Sequence, residues 1–399
     1  MREPFLSAVP LLKKLEDSGY EAYFVGGSVR DYLLNKQISD VDIATSATPH
    51  EVKRIFPRTV DVGIEHGTVL VLHHQKSYEI TTFRTDGEYQ DYRRPTEVAF
   101  IRNLEEDLKR RDFTMNAIAM DRKGKVSDPF NGQQDIKDQV IKTVGFAADR
   151  FREDALRIMR AVRFVSQLGF QMDRETQSAL STLGPLLEKI AVERKRAEFE
   201  KLLMGAHWHK AVTILLESGL NDFLPGLDKR KQQLEKLLRF DSDQLRLTER
   251  WSLLIFCLEL TNSQIEAFLR NWRLPVKEIK DIKHIMFFLR KRLEMDWPVY
   301  DLYMAGREAV QSVENLYFVI NGIKQEESVH KWIAVYDSLP IKQRSDLAVT
   351  GTDLKDWLHR KPGPWLKDTI LKIEHAILNG QIKNEKSTIK EWLLQCSQK

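Results

Sequence analysis

Tyr20-Glu21-Ala22-Tyr23-Phe24-Val25-Gly26-Gly27-Ser28-Val29-Arg30-Asp31 opens the stretch that decides the fold, and Asp40-Val41-Asp42 closes it. The β-prone run 20–25 stops at two glycines. Residues 28–35 then read as a short helix, with Ser28 as cap and Asp31 three residues on. Residues 41–45 read as the next strand. Aspartates at i and i+2 on a strand point to one face. Two such carboxylates can share a hard cation, and Mg²⁺ prefers oxygen ligands together with water and phosphate. Glycines at a strand-to-helix turn let backbone N–H groups approach an anion, and Arg30 can add a bidentate phosphate contact. A D-x-D or a Gly-Gly alone is usually a surface or turn feature. Inside one strand–helix–strand unit the two together are the equipment of phosphoryl or nucleotidyl transfer.

Working outward, Thr48-Pro49-His50-Glu51 is a capping box with proline at the first helical position, opening a helix to Phe56. Strands are expected at 59–62, 68–73 and 77–83. By alternation Glu79 shares a face with Thr81 and Phe83, which makes it the candidate third carboxylate on a neighbouring strand. Residues 85–96 (TDGEYQDYRRPT) are polar and punctuated by glycine and proline, so a mobile loop is expected. A helix is expected over 104–120 and a short strand or turn over 125–129. After about Ile141 the period changes. Ala155, Ile158, Met159, Val162 and Val165 fall at helical spacing within 151–168. Helices are expected likewise at 174–183, 188–204, 208–218, 229–240, 251–260, 263–271, 278–293, 299–304, 325–338, 352–358, 364–378 and 383–394. The fold class is therefore α+β, an N-terminal α/β head followed by an elongated all-helical region.

Composition narrows the classes. The 399 residues include 62 Lys+Arg and 58 Asp+Glu, a formal charge of +4, which permits a nucleic-acid partner without requiring one. With 42% hydrophobic residues the chain has material for a core and is not disordered. Cys257 and Cys396 are too few for a disulfide scaffold and fit a reducing cytoplasm; neither sits in a CxxC pair, so structural zinc is not expected. The first twenty residues do not read as a secretory signal, and no apolar run is long enough to span a bilayer. There is no HExxH and no P-loop.

Further motifs follow the first in order: Arg110-Arg111-Asp112-Phe113-Thr114-Met115-Asn116-Ala117, Asp128-Pro129-Phe130-Asn131-Gly132, and Arg152-Glu153-Asp154-Ala155-Leu156-Arg157-Ile158-Met159-Arg160-Ala161-Val162-Arg163-Phe164. The set resembles the class II, bacterial-type CCA-adding tRNA nucleotidyltransferases of the polymerase-β-like superfamily, in detail over residues 20–170 and more loosely in the tail, at Thr350-Gly351-Thr352-Asp353-Leu354 and Pro362-Gly363-Pro364-Trp365. The resemblance implies a catalytic head at 1–140, a base-recognising helical neck at 141–205, a helical body at 206–320 and a tRNA-binding tail at 321–399. It implies template-independent addition and repair of the tRNA 3′ CCA from CTP and ATP. Asp40 and Asp42 would hold Mg²⁺, with Glu79 completing the catalytic set. Gly27, Arg30 and Arg111 would contact the triphosphate, and Asn116 would orient sugar or phosphate. Residues 85–96, with Asp86, Glu88, Asp91, Arg93 and Arg94, would be the family's flexible element in the switch from C to A. A homodimer is left open.

Asp154, Arg157, Arg160 and Arg163 recur every three residues and line a slowly drifting stripe on one helix face. The plain reading is a salt-bridged surface. The other is base reading by protein: a carboxylate accepts from the amino group of cytosine or adenine, while a guanidinium donates to the adjacent ring nitrogen. Uracil and guanine present a carbonyl there, and a good bidentate contact discriminates by ~1–3 kcal/mol. Asp154 and Arg157 would select, Arg160 and Arg163 would meet phosphate or hold the pair in place, and Glu153 would tie Arg157. The basic runs Arg194-Lys195-Arg196, Lys229-Arg230-Lys231 and Arg290-Lys291-Arg292 are candidates for tRNA phosphates. His207, Trp208 and His209 fit helix packing better than RNA stacking. Rival functions are a poly(A) polymerase, for which a more basic C-terminal extension is expected, a CC- or A-restricted enzyme, and a catalytically inactive RNA-binding protein.

Overall fold

Alternation in Lys76–Thr82 shows how the sheet is built: Tyr78, Ile80 and Thr82 are buried while Ser77 and Glu79 face out. The computed structural model describes residues 1–87, 89–90, 94–95, 98–322 and 326–397. The chain forms two compact units, Met1–Lys231 and Gln232–Lys399.

The first unit begins with α1 (Phe5–Asp17), β1 (Ala22–Val25), α2 (Gly27–Leu33), β2 (Asp42–Thr45), α3 (Pro49–Ile55), β3 (Thr59–Gly63), β4 (Thr68–His73) and β5 (Lys76–Thr82). Short strands β6 (Arg84–Asp86), β7 (Tyr89–Gln90), β8 (Arg94–Pro95) and β9 (Val98–Phe100) follow, then α4 (Leu104–Lys109), β10 (Ala119–Met120), β11 (Val126–Ser127), α5 (Gly132–Lys137) and β12 (Val140–Ile141). Seven strands form one sheet in the order β11-β10-β1-β2-β5-β4-β3. Under it Val25, Ala44, Phe83, Leu108, Ala117, Ala119 and Val144 make a buried cluster. The unit continues with α6 (Ala147–Glu153), α7 (Leu156–Leu168), β13 (Gln171–Met172), α8 (Arg174–Leu183), α9 (Val192–Leu203) and α10 (Trp208–Glu217).

Several expectations are corrected. Ser28 is not the cap of α2: Gly26 is, and the Ser28 hydroxyl donates to the Val25 carbonyl at 3.0 Å. Asp40 precedes β2 instead of lying on it. Phe83 is past the end of β5 and turns into the core, so it does not share the open face with Glu79. Residues 85–96 are not all loop, because β6 pairs with β9 and β7 with β8. Glu88, Asp91 and Arg93 lie outside the described residues. The helix expected over 104–120 stops at Lys109, and a 3₁₀ turn (Thr114–Asn116) and β10 replace its second half. The helix expected over 151–168 breaks at Asp154, whose backbone is extended (φ −131°, ψ 101°) between α6 and α7. One short parallel pair, β12 with β13, reaches past Ile141.

A close approach ties α7 to the end of α9. The Ser166 hydroxyl donates to the Leu202 carbonyl at 2.5 Å, and a Cβ on Gly205 would stand 2.1 Å from the Ser166 Oγ and 2.6 Å from its carbonyl oxygen. Gly205→Ala is expected to cost about 2 kcal/mol by overpacking. The check is a lower urea midpoint at unchanged slope; a wild-type midpoint would refute the contact.

The second unit carries α11 (Lys231–Leu237, beginning at the boundary), α12 (Leu247–Cys257), α13 (Asn262–Asn271), α14 (Val276–Glu294), α15 (Val299–Ala305), α16 (Arg307–Asn321), α17 (Glu326–Asp337), α18 (Gly351–Leu358), α19 (Trp365–Leu378) and α20 (Lys386–Ser397). Its core includes Trp251 and Trp272, with ring centroids 5.3 Å apart. Among the described residues no helix is long and apolar enough to cross a membrane.

Candidate active site

The register of β2 on β5 places the carboxylates. These strands run parallel with Ile43 opposite Ile80, both buried. Asp42 and Glu79 each precede one of these isoleucines, so they emerge side by side on the opposite, open face. Asp40 joins them around a groove of about 400 Å³, walled also by Gly27, Arg30 and Asp31. Asp42 keeps one side open to solvent. Enclosure by protein on the other, then the charge of Glu79, pushes its carboxyl above the usual range; Arg111 opposes this and Asp40 adds to it.

On its other side Asp42 borders a second cavity of about 430 Å³. The glycine turn forms one wall. Gly26 has φ +73°, which strains any side chain, and a Cβ there would lie 3.2 Å from Arg111 Nη1 and 3.7 Å from Asp42 Oδ2, crowding the guanidinium against the turn. Gly27, Arg30, Arg110, Arg111, Asp112 and Asn116 continue the lining, and Asp154, Arg157, Arg160, Arg163 and Phe164 complete it. Thus Gly27, Arg30 and Asp42 border both spaces.

A chain of hydrogen bonds holds the cavity floor. Arg30 Nη1 donates to Asn116 Oδ1 at 2.8 Å, and Asn116 Nδ2 to Asp112 Oδ1 at 3.0 Å. Arg160 donates to Asp112 Oδ2 from Nε at 2.8 Å and from Nη2 at 2.5 Å. Burial would by itself push the Asp112 carboxyl up; the Arg160 guanidinium, with Asn116, outweighs this and holds it far below the usual carboxylate range. The Arg110-Arg111-Asp112 run is therefore not a solvated face. Arg110 and Arg111 both donate to the buried Asp107, at 2.8 and 3.3 Å. Arg30, Arg160 and Arg163 crowd the Phe164 ring, at 5.1, 5.5 and 3.8 Å from its centroid.

The expected stripe is brought together at the cavity, but its groups already have protein partners. Asp154 Oδ1 accepts from the Leu156 N–H at 3.0 Å and Oδ2 from Arg194 Nη2 at 2.8 Å. Arg157 donates to Glu153 at 2.7 Å, the tie expected from sequence, and to the Arg110 carbonyl at 2.8 Å. Arg163 is paired with buried Glu198. Asp107, Asp112 and Glu198 are residues around the cavity to which sequence reasoning gave no role, and Arg194, expected at tRNA phosphates, pairs with Asp154 instead. The Arg194-Lys195-Arg196 run turns inward: Lys195 donates to the Phe223 carbonyl at 3.3 Å and Arg196 faces Glu200 at 3.7 Å. In Arg290-Lys291-Arg292, Lys291 pairs with Asp301 and Arg292 with buried Glu314. Trp208 is buried.

Among the described residues no three His, Cys, Asp or Glu side chains stand close enough to hold a metal alone. Magnesium does not need that, since it is usually bound by one or two carboxylates with water and substrate phosphates. Asp40 and Asp42 on one groove, with Asp42 crowded by negative charge, fit such a cation.

Moving a nucleotide from a triphosphate to a hydroxyl needs an anion-binding cavity and a carboxylate-lined groove meeting at one point, and this sheet supplies both at β2. The class is nucleotidyltransferase. Residues 22–142 match the family described as the poly A polymerase head domain, 169–231 the probable RNA and SrmB-binding site of polymerase A, and 246–393 the putative tRNA nucleotidyltransferase domain 2. The CCA-adding enzyme of Bacillus cereus (strain AH187) is 47% identical over 396 residues, 99% of each chain. The crystal structure of the Bacillus stearothermophilus CCA-adding enzyme in complex with CTP is 45% identical, with a TM-score of 0.93 over 100% of this chain and 98% of that one. A CCA-adding enzyme in an apo form, 20% identical with a TM-score of 0.70, shares the fold. This chain belongs to the CCA-adding enzyme family, whose chemistry generally uses a divalent metal.

Proposed function

We propose that the chain builds and repairs the 3′-terminal CCA of tRNA from CTP and ATP, releasing pyrophosphate. The observation that carries this is the shared wall: Gly27, Arg30 and Asp42 border both the arginine-lined cavity and the carboxylate groove. In this reading the triphosphate lies in the cavity, against the glycine turn, Arg30 and Arg111, and the RNA 3′ end lies in the groove beside Glu79. The 3′-oxygen attacks the α-phosphorus, its bond to phosphorus forms as that to pyrophosphate breaks, and its proton leaves toward the groove carboxylates. Asp40 and Asp42 would hold the divalent cation, Mg²⁺, which when bound supplies Lewis-acid stabilisation of phosphoryl charge. Asn116, fixed between Arg30 and Asp112, would orient sugar or phosphate. Asp154 would accept from the amino group of cytosine or adenine while Arg157 exchanges a carbonyl contact for the ring nitrogen. Arg160 and Arg163, tied to Asp112 and Glu198, would hold that pair in place.

The same reading takes 1–140 as head, 141–205 as neck, 206–320 as body and 321–399 as tail, with the cytoplasm as compartment. The homodimer stays open to a light-scattering measurement. The deciding experiment uses tRNA lacking its CCA end with labelled nucleotides. CTP alone is expected to add two residues, CTP with ATP three and then stop, and ATP alone none. Long A-tracts would select the poly(A) polymerase, and a stop at CC with both nucleotides the restricted enzyme.

A further inference from the structure

We infer that α9 is the backing that aims the selectivity stripe, with Arg194 the positioning residue for Asp154 and Glu198 the positioning residue for Arg163. This rests on the reading of Asp154 as the base-selecting carboxylate. Asp154 lies in extended backbone between two helices, its N–H donating to the Arg150 carbonyl at 3.3 Å and its carbonyl accepting from Arg157 at 3.0 Å, and its side chain is set by further contacts. A recognition group must be held to within ~10–20° of its productive heading. Two contacts do this, one to each carboxylate oxygen: the Leu156 N–H and Arg194 Nη2. An ionised carboxylate has about four acceptor positions, so roughly two remain for an incoming amino group.

Arg194 and Glu198 are four residues apart on α9 and so share a face. Glu198 Oε2 accepts from Arg163 Nε, and its Oε1 lies 3.9 Å from Arg160 Nη1. The pair thus grips both ends of the stripe, Asp154 before α7 and Arg163 within it. Neither Arg194 nor Glu198 lines the cavity; both stand behind residues that do. Arg194 Nη1 is enclosed without a hydrogen-bond partner. An unpaired enclosed donor costs stability, which the 2.8 Å contact from Nη2 to Asp154 offsets.

The test is steady-state kinetics with tRNA lacking its CCA end, comparing CTP with UTP for wild type, Arg194→Ala and Arg194→Lys, with thermal midpoints recorded alongside. Arg194→Ala is expected to lower the CTP-over-UTP preference in kcat/KM about tenfold, the scale of one good base contact, mainly through a raised KM for CTP. Arg194→Lys, which keeps a donor, is expected to recover part of it. An unchanged preference in Arg194→Ala, or an equal loss of kcat for both nucleotides, overturns the inference. Should Arg194→Ala not fold, Arg194→Lys and Glu198→Gln decide it: a lowered preference supports it and a wild-type preference in both overturns it. A wild type that does not prefer CTP overturns the Asp154 reading and this inference with it. A selective wild type with an equally selective Arg194→Ala overturns this inference alone.

Discussion

Asp42→Ala is expected to abolish nucleotide addition, lowering kcat by roughly a thousandfold or more, the several kcal/mol that a cation-holding carboxylate contributes. No neighbour can substitute. Glu79 sits on the adjacent strand and Asp40 outside β2, and Asp42 is the carboxylate that borders both spaces. Binding of tRNA should stay near wild type, because affinity for nucleic acid is spread over many phosphate contacts. Primer extension and fluorescence anisotropy on the same preparations check the two halves. Asp42→Asn adds a stability readout. Enclosure and the charges of Glu79 and Asp40 oppose the ionised form of Asp42, so the amide should melt at or above the wild-type temperature while remaining inactive. An active Asp42→Ala, or an amide variant that melts well below wild type, contradicts the account.

Asp112→Ala is expected to give the largest loss of stability among the site residues. The side chain is 10% exposed and accepts from Asn116, from its own neighbour's backbone N–H at Phe113 and twice from Arg160. Its removal leaves Arg160 beside Arg163 with the more distant Glu198, at 3.9 Å, as its carboxylate partner, and unlocks Asn116. Breaking one side of a buried pair costs ~3–5 kcal/mol, and since Arg160 is a third exposed about 2–3 kcal/mol is expected here. Denaturant unfolding measures this. The sign of the pH dependence follows from the depressed native carboxyl. Its contribution is complete above the unfolded value near ~4 and is lost as pH falls from there through the lower native value. Asp112→Asn should therefore flatten the acid limb of the stability curve below pH ~4; an unchanged limb would show that the Arg160 pairing does not act on this proton.

The carboxylates and the glycine turn were legible because their signal is local, carried by one strand–helix–strand unit. The counter-charges were not. Asp112 and Glu198 serve arginines brought near by tertiary folding, and Asp107, whose arginines follow it by three and four residues, reads as a solvated helix pair; in sequence each resembles an ordinary charged residue of a surface helix. Arg194, by its neighbours, reads as part of a basic surface run, yet its partner is forty residues away. Three helices escaped: α5, whose six residues are too few to show a period, and two others for separate reasons. In α1, Pro10 interrupts a stripe of Phe5, Ala8, Leu11, Leu12 and Leu15 that is otherwise regular. In α16, buried Glu314 and Ser312 break the apolar period because Glu314 answers Arg292 and Trp297 in the core and Ser312 answers Arg246, which reaches in from the surface. The false continuity over 151–168 has the opposite cause: Phe151 before the junction and Ala155, Ile158, Met159 and Val162 after it keep the helical period across a point where Asp154 bonds to the backbone two residues on.

That junction has a practical meaning for anyone wishing to redesign nucleotide choice. A carboxylate inside a helix can be re-aimed only by replacing it. One lodged between two helices turns with the angle between them, so under the base-selecting role proposed for Asp154, insertions or packing changes in Ala147–Glu153 are expected to retune preference while every polar group in the cavity wall keeps its identity.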